Sequence, residues 1–321
     1  PEGGRRSDAM IRLGLFAAGV RLAEWLPAPL LYGLARVVGR LLSMLPLASR
    51  ERLRRNLGQV LGVPPTSPEV RPHVLCAYQT QAANYVDLLR ARKIASQDMG
   101  RQVVQDGDGW EAFERALAAG RGLVLATAHF GRFELMTHYL GQRGVRLTLP
   151  VERLQPPALF DLLCRLRRRP TFTLVAADLG LRPCLRALQR GEAVVLFADW
   201  DSTGHGVTVQ FCGLPARLPA GPALIAVRAG VPLFVGFNLL GGSGGRLRAL
   251  IEPPLPVERT GDLEADVQRV TQLMATALER HIRRHPGRWV MFHDLWPEHG
   301  WPDHATAMLE CGAQTPTGVS A

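Results

Sequence analysis

The sequence predicts an α/β fold, in which a largely parallel sheet is flanked by helices and a helical segment precedes the sheet. Two observations support this. From residue 102 onward, short apolar or β-branched runs alternate with amphipathic stretches, a pattern typical of parallel strands covered by helices. The chain has 321 residues, of which 47% are hydrophobic, enough for a sizeable core. We find no internal repeat and no linker that divides the sheet-forming part.

Five runs are predicted to form the parallel strands of the sheet. They are residues 122–128, 145–149, 171–175, 193–198 and 233–239. Residues 207–211 and 246–251 are predicted to add antiparallel edge strands. The glycine-rich run 241–245 precedes the second of these, and we interpret it as a hairpin tip because no helix follows it.

The N-terminal part is predicted to lie on a membrane surface. Residues 11–48 are the most apolar part of the chain, but the longest run there without a charge, residues 25–35, is shorter than the roughly 18 residues that a spanning helix needs. Arginines interrupt two apolar helical stretches, as in interfacial helices. The alternative is a pair of helices packed on the core. Residues 1–10 are interpreted as a tag or disordered, 49–300 as the α/β domain and 301–321 as a tail.

The charge of the chain indicates an anionic partner. There are 38 Lys and Arg against 28 Asp and Glu, which gives a formal net charge of +10. Anionic lipid headgroups or a phosphorylated carrier fit this charge. Nucleic acid is disfavoured, because only 7% of residues are aromatic and no nucleic-acid-binding motif appears. The 5 cysteines are scattered without a CxxC pair, so no disulfide framework or metal site is predicted.

His129 and Glu134 are the most specific chemical feature. A strand of buried type ends at His129, and Gly131 allows a turn before Glu134 begins the next helix. Residues five apart on one helix are about 140° apart, so the histidine must lie in the turn if the two side chains are to meet. An imidazole beside a carboxylate is held in one tautomer and can act as a general base.

The spacing from His129 to Glu134 resembles the H-x4-D/E motif of glycerolipid acyltransferases, and more specifically of the lipid A biosynthesis acyltransferase family. Two further segments, residues 190–204 and 209–222, are similar to that family's acidic-x-acidic strand and its F-x-G-x-P-A…GP segment. Residues 151–157 are most similar to the phosphatidylinositol mannoside acyltransferase branch. The resemblance extends from about Arg52 to Trp296.

The resemblance implies roles for particular residues. His129 would be the base, with Glu134 beside it, and Asp199 matches an acidic position that partners the histidine in the mannoside branch, so two carboxylates compete to orient His129. Substrate contacts are expected from Arg132, Glu152, Arg167 and Asp201, although Arg165, Arg168 and Arg169 compete with Arg167. Trp200 stands where the lipid A branch typically has glutamine, which argues against lipid A itself as the acceptor.

The activity implied by the resemblance is O-acyl transfer at a membrane. The donor would be acyl-CoA or an acyl carrier protein, the acceptor a hydroxyl of a glycolipid or phospholipid, and no bound cofactor or metal would be needed. The expected location is the cytoplasmic face of the plasma (inner) membrane. The alternatives are a glycerol-phosphate or lysophospholipid acyltransferase, and a non-catalytic protein that binds anionic lipid.

Overall fold

The computed structural model of the protein describes residues 14–296, except 15, 17, 96–98, 154–155 and 241–245. The interpretations of residues 1–10 as a tag, of 301–321 as a tail and of 241–245 as a hairpin tip therefore fall outside the described residues. Residues 18–25 are helical. The helices that follow are α1 Ala28–Met44, α2 Ala48–Leu61, α3 Val70–Leu89, α4 Ala91–Ala95, α5 Trp110–Ala118, α6 Phe133–Gln142, α7 Pro157–Arg167, α8 Arg182–Gln189, α9 Gly221–Ala229 and α10 Leu263–Arg284.

A seven-stranded sheet forms the centre of the molecule, in the order β1-β9-β8-β2-β5-β3-β4. The strands β8, β2, β5, β3 and β4 run parallel, whereas β9 is antiparallel to β8 and β1 is parallel to β9. The strands are β1 Val103–Asp106, β2 Leu123–Thr127, β3 Leu147–Val151, β4 Phe172–Ala176, β5 Ala193–Phe197, β6 Val207–Phe211, β7 Leu214–Leu218, β8 Leu233–Leu240 and β9 Leu247–Ile251. The predicted α/β fold is confirmed.

Both predicted antiparallel strands form, but neither is an edge strand of the main sheet. The strand β6 pairs with β7 in a separate two-stranded hairpin, and β9 is second from the edge because β1 pairs outside it. Neither β1 nor β7 was predicted. The first is four residues long and ends in Gln105 and Asp106, and the second contains Pro215 and Arg217, so neither has the apolar, β-branched composition of a predicted strand.

Two apolar layers cover the two faces of the sheet. Alternate residues of β2 belong to different layers, because successive side chains of a strand point to opposite faces. Val124 and Ala126 pack into the layer formed with α9, α10 and the β6–β7 hairpin. Leu123 and Leu125 pack into the layer formed with α5 and α6. The central strand is therefore apolar on both faces, as expected for a buried parallel strand.

The helix α3 begins at Val70. The hydroxyl of Ser67 accepts a hydrogen bond from the Glu69 N–H at 3.4 Å, so Ser67 closes a turn before the helix and is not its N-cap. Another helix begins at Gly221. That helix, α9, has proline in its first turn and ends at Gly230, whose φ of 62° is the left-handed conformation that favours glycine.

The helix α1 packs against α3 and leaves a second apolar face uncovered. A Cβ on Gly39 of α1 would lie 2.7 Å from the Gln79 Cα of α3, so the two helices cross closely. Four apolar side chains line the outer face of α1, and we call them the α1 stripe: Leu30, Leu34, Val37 and Leu41, each at least half exposed. In the described residues, no single helix is long and apolar enough to cross a membrane, although α1 and α2, bent by 87°, pass that test as a pair.

Candidate active site

His129 lies in the turn that follows β2, as predicted. The turn is fixed on both sides by backbone hydrogen bonds, since the Val290 N–H donates to the His129 carbonyl at 2.8 Å and the Gly131 N–H donates to the Arg288 carbonyl at 2.9 Å. Gly131 has φ of 60°, and a Cβ there would lie 2.0 Å from the Asn238 carbonyl oxygen. Only glycine fits this position, for both reasons.

Asp199 is the carboxylate that contacts His129. Its Oδ1 lies 3.0 Å from the His129 Nδ1, and its Oδ2 accepts the His129 backbone N–H at 2.8 Å. The indole N–H of Trp289 also donates to Oδ2, at 2.9 Å. When Nδ1 carries the proton toward Asp199, Nε2 keeps its lone pair and can accept a proton.

Asp199 stays charged although it is fully buried. Burial acts to raise the pKa of Asp199, but the charge of His129 and the hydrogen bonds from His129 and Trp289 outweigh it, so the pKa lies below its usual value. A buried anion stabilises an imidazolium beside it, which is the electrostatic requirement for a histidine base.

Aromatic rings hold the His129 imidazole at the border of a cavity. Its ring stacks on Phe197 with centroids 4.0 Å apart, and Phe133 meets it edge-on at 5.9 Å. The side chain of His129 is 34% exposed, so it is accessible to a substrate. Phe197 could have been identified from the sequence, because it ends β5 two residues before Asp199.

The cavity is partly open to solvent. It lies on one face of the sheet beneath α6 and α7. Its walls are mainly apolar, from residues such as Leu125, Leu149, Val195, Met136, Leu140 and Phe172. Phe133 and Phe197, which contact the His129 ring, also line it. The cavity therefore adjoins the imidazole through these two rings.

Glu134 contacts Arg167, a second predicted site residue. The guanidinium of Arg167 donates to Glu134 through Nε, at 3.1 Å and 3.2 Å from the two carboxylate oxygens, and also through Nη2. Both side chains line the cavity. Within the described residues, Glu134 makes no hydrogen bond to His129, because the helix that begins at Phe133 directs it toward α7. The structure thus separates the two carboxylates that competed in the sequence.

Two further polar side chains face the cavity wall. His138 follows Glu134 by one turn of α6, and burial, with a smaller contribution from the positive charge of Arg169, lowers its pKa to about 4. At neutral pH this imidazole is uncharged. Asn238, on β8, is buried beside the turn of His129. Neither residue was predicted, because each lies within an otherwise apolar segment that predicts only packing.

Arg132 is engaged with the N-terminal helices. It forms a bidentate ion pair with the buried Asp87 of α3, and the Tyr32 hydroxyl of α1 donates to the same carboxylate at 2.6 Å. Asp87 raises the pKa of Arg132 against the opposing effect of burial. Asn84, which also lies on α3, donates to the Gly131 carbonyl at 3.0 Å. Asp87 and Asn84 of α3 therefore hold the turn in place through Arg132 and Gly131. Substrate contact by Arg132 stays a prediction.

Asp201 and Glu152 occupy different surroundings. Asp201 accepts backbone hydrogen bonds from Thr203 and Gly206, at 3.1 Å and 2.6 Å, and pairs with Arg217 at 3.3 Å. Burial acts to raise the pKa of Asp201, but these hydrogen bonds outweigh it and hold the pKa below its usual value. Glu152 is exposed just after β3. Their substrate contacts also stay predictions.

His293 lies on the other side of the site. Its ring stacks on Trp200 with centroids 3.6 Å apart. Burial, followed by the charges of His129 and Arg52, lowers the pKa of His293. In the described ranges, no three His, Cys, Asp or Glu side chains come together as metal ligands would.

Comparison with known proteins gives a consistent result. Residues 6–298 match the family described as bacterial lipid A biosynthesis acyltransferase. The chain is 32% identical over 251 residues to the phosphatidylinositol mannoside acyltransferase of Mycobacterium tuberculosis strain H37Rv, covering 77% of each chain. It is 30% identical over 305 residues to the enzyme of the same name from Mycolicibacterium smegmatis, covering 92% of this chain and 93% of that one. The protein therefore belongs to the bacterial lipid A biosynthesis acyltransferase family.

Proposed function

We propose that the protein transfers a fatty acyl group from the thioester of CoA or acyl carrier protein to a hydroxyl of a membrane glycolipid, with His129 as the general base. The observation that carries this proposal is the hydrogen bond from the accessible His129 to the buried, charged Asp199. A base of this kind contributes roughly 10²- to 10⁴-fold to the rate of a proton transfer.

In the proposed reaction, the acceptor hydroxyl gives its proton to His129 Nε2 while its oxygen attacks the thioester carbonyl carbon. A carbon–oxygen bond forms and the carbonyl π electrons move to oxygen. Collapse of this intermediate breaks the carbon–sulfur bond, and the thiolate takes the proton from the imidazolium. The products are an ester and a free thiol, and no bound cofactor is needed.

The apolar cavity is the proposed site of the acyl chain. Its walls combine apolar strand residues with the Glu134–Arg167 ion pair. The Gly131 N–H already donates to Arg288, so Arg167, whose Nε and Nη2 donate to Glu134, is proposed to stabilise the oxyanion through its positive charge and not through a direct hydrogen bond. Its charge is held in place by Glu134. Glu134 would then act through Arg167 and not through His129.

The acceptor is proposed to be a glycolipid whose sugar hydroxyl reaches His129. The two relatives described above are phosphatidylinositol mannoside acyltransferases, and Trp200 with His293 presents an aromatic surface close to the base. Sugars pack against such rings. Glu152 and Asp201 are proposed to contact the acceptor from the same edge of the sheet. Arg132 is proposed to hold the turn that separates the acceptor from the acyl chain.

The protein is proposed to bind the cytoplasmic face of the plasma (inner) membrane without crossing it. Support comes from the exposed α1 stripe and from Arg36 and Arg40, which are exposed on the same helix. Apolar side chains flanked by arginine suit an anionic bilayer surface. CoA and acyl carrier protein are cytoplasmic, so the donor would be available there.

A direct assay tests the reaction. Purified protein is incubated with acyl-CoA or acyl carrier protein and with a phosphatidylinositol mannoside, a lysophospholipid or glycerol 3-phosphate, and products are identified by mass spectrometry. The proposal expects an acylated mannoside and a free thiol. Acylation of glycerol 3-phosphate or lysophospholipid alone would favour the alternative acyltransferase. Lipid binding without any product would favour the non-catalytic alternative.

A further inference from the structure

Asn238 is a buried amide whose hydrogen-bonding groups are left unused. The residue is 1% exposed, and neither Nδ2 nor Oδ1 has a hydrogen-bond partner in the part of the chain that the structure describes. A buried polar group without a partner destabilises the fold. Asparagine at this position therefore needs an explanation other than packing.

A second buried asparagine in the same protein shows the usual arrangement. The side chain of Asn56 is fully buried. Its Nδ2 donates to the carbonyls of Met291 and His293 at 3.0 Å and 2.6 Å, and its Oδ1 accepts the Leu295 N–H at 3.3 Å. Asn56 uses its amide to hold the chain after Trp289 in place. Asn238 has no comparable structural task.

The position of Asn238 places its side chain between the catalytic turn and the cavity. Its backbone pairs with Gly131, and its carbonyl accepts the Arg132 N–H at 3.2 Å. On β8, Gly236 and Asn238 both line the cavity, as Thr127 does on the neighbouring strand β2. The carbonyl end of an acyl chain that fills this cavity and reaches His129 must pass this part of the wall.

Three other donors near the turn are wholly or partly engaged. The Gly131 N–H donates to Arg288, the Arg132 N–H donates to the Asn238 carbonyl, and Arg167 directs Nε and Nη2 to Glu134. An uncommitted N–H in a low-dielectric wall is the arrangement that stabilises developing negative charge on oxygen. Asn238 Nδ2 is such a donor.

We propose that Asn238 Nδ2 donates a hydrogen bond to the carbonyl oxygen of the acyl thioester, and a stronger one to the oxyanion formed when that carbonyl is attacked. This inference rests on the proposed function, because it assumes that the cavity holds the acyl chain. It makes Asn238 a residue that distinguishes a carbonyl next to sulfur from a plain methylene group.

The test compares two probes built on pantetheine, the group that CoA and acyl carrier protein share. One probe is S-hexadecanoyl-pantetheine, a thioester, and the other is S-hexadecyl-pantetheine, a thioether that lacks only the carbonyl oxygen. Dissociation constants are measured without acceptor for the wild type, Asn238→Leu and Asn238→Asp. We expect the wild type to bind the thioester roughly 3- to 10-fold more tightly, and both variants to lose this preference, since neither leucine nor an ionised aspartate offers a donor.

Folding and catalysis supply the controls. Because Asn238 lacks partners, Asn238→Leu should melt at the wild-type temperature or above it, whereas the matched variant Asn56→Leu should melt below it. The value of kcat/KM for transfer should fall roughly 100-fold or more in Asn238→Leu. A preference for the thioester that survives in Asn238→Leu, or that is absent from a wild type active in transfer, would overturn the role of Asn238 and leave the proposed function intact. Absence of transfer by the wild type would instead count against the proposed function.

Discussion

The carboxylate of Asp199 lies behind His129 and bonds both to its imidazole, at 3.0 Å from Nδ1, and to its backbone N–H, at 2.8 Å. One buried side chain therefore sets the position of the turn and the orientation of the ring in it. The indole N–H of Trp289 donates to the same carboxylate at 2.9 Å and fixes its position. The accessible edge of the imidazole is left for a substrate.

Replacing Asp199 by asparagine is expected to reduce acyl transfer by about 10²- to 10⁴-fold. An amide that donates to Nδ1 selects the tautomer whose proton is on Nε2, so the nitrogen facing the substrate can no longer accept a proton. The measurement is kcat for transfer, with circular dichroism confirming the fold. A variant that is folded and keeps more than a tenth of the wild-type kcat would refute this role of Asp199.

The Glu134–Arg167 pair is expected to show strong coupling in a double-mutant cycle. Arg167→Met leaves the buried Glu134 carboxylate without its cation, which costs about 3 kcal/mol of unfolding free energy or more. Glu134→Gln leaves the guanidinium without its anion. The double variant should be less destabilised than the sum of the single ones. Chemical denaturation measures all four proteins, and additive losses would contradict an energetically coupled pair.

Charges placed in the α1 stripe are expected to weaken membrane binding. The variant Leu34→Glu with Leu41→Glu puts two carboxylates on the exposed apolar face of α1, where insertion into a headgroup layer is unfavourable. Co-sedimentation with anionic vesicles should fall several-fold, while the melting temperature stays unchanged. Leu263→Glu, an exposed leucine on α10, is the matched control and should pellet like the wild type. Equal pelleting of all three proteins would exclude the stripe as the membrane contact.

His138 is expected to make the fold sensitive to acid. Its pKa is lowered from 6.5 to about 4, mainly by burial. Between pH 6.5 and pH 4 the unfolded chain therefore binds more protons than the folded one. The free energy of unfolding falls as the pH decreases through this range. One pKa unit corresponds to about 1.4 kcal/mol, which gives a loss of roughly 3 kcal/mol. Urea denaturation across this range should show a weaker pH dependence for His138→Gln. The same slope in both proteins would contradict a neutral buried His138.

Much of the fold could be predicted from the sequence because the five parallel strands read as apolar runs, and the central strand β2 is buried on both faces. The strand β1, with Gln105 and Asp106 in four residues, has no such run, and its place at the edge depends on pairing with β9. Local composition does not contain that information.

The candidate site was predicted in part. The turn at Gly131 follows from the sequence, but the spacing of His129 and Glu134 favoured a direct contact that the structure does not show. Asp199 is seventy residues from His129; its place at the end of a predicted strand follows from the sequence, whereas its pairing with the histidine was indicated by the family resemblance. Trp289 and Asn238 were missed because a buried indole and a buried amide have no sequence pattern that separates them from core residues.

The most direct test of the central claim is the rate of acyl transfer by His129→Ala compared with the wild type, at saturating donor and acceptor. The side chain is partly exposed in a turn, and Asp199 keeps its hydrogen bonds from the His129 backbone N–H and from Trp289, so the variant should still fold, with a somewhat lower melting temperature, and bind vesicles as well as the wild type does. If His129 is the general base, kcat falls at least about 100-fold. A folded His129→Ala protein that retains more than a few per cent of the wild-type rate would show that another group takes the proton.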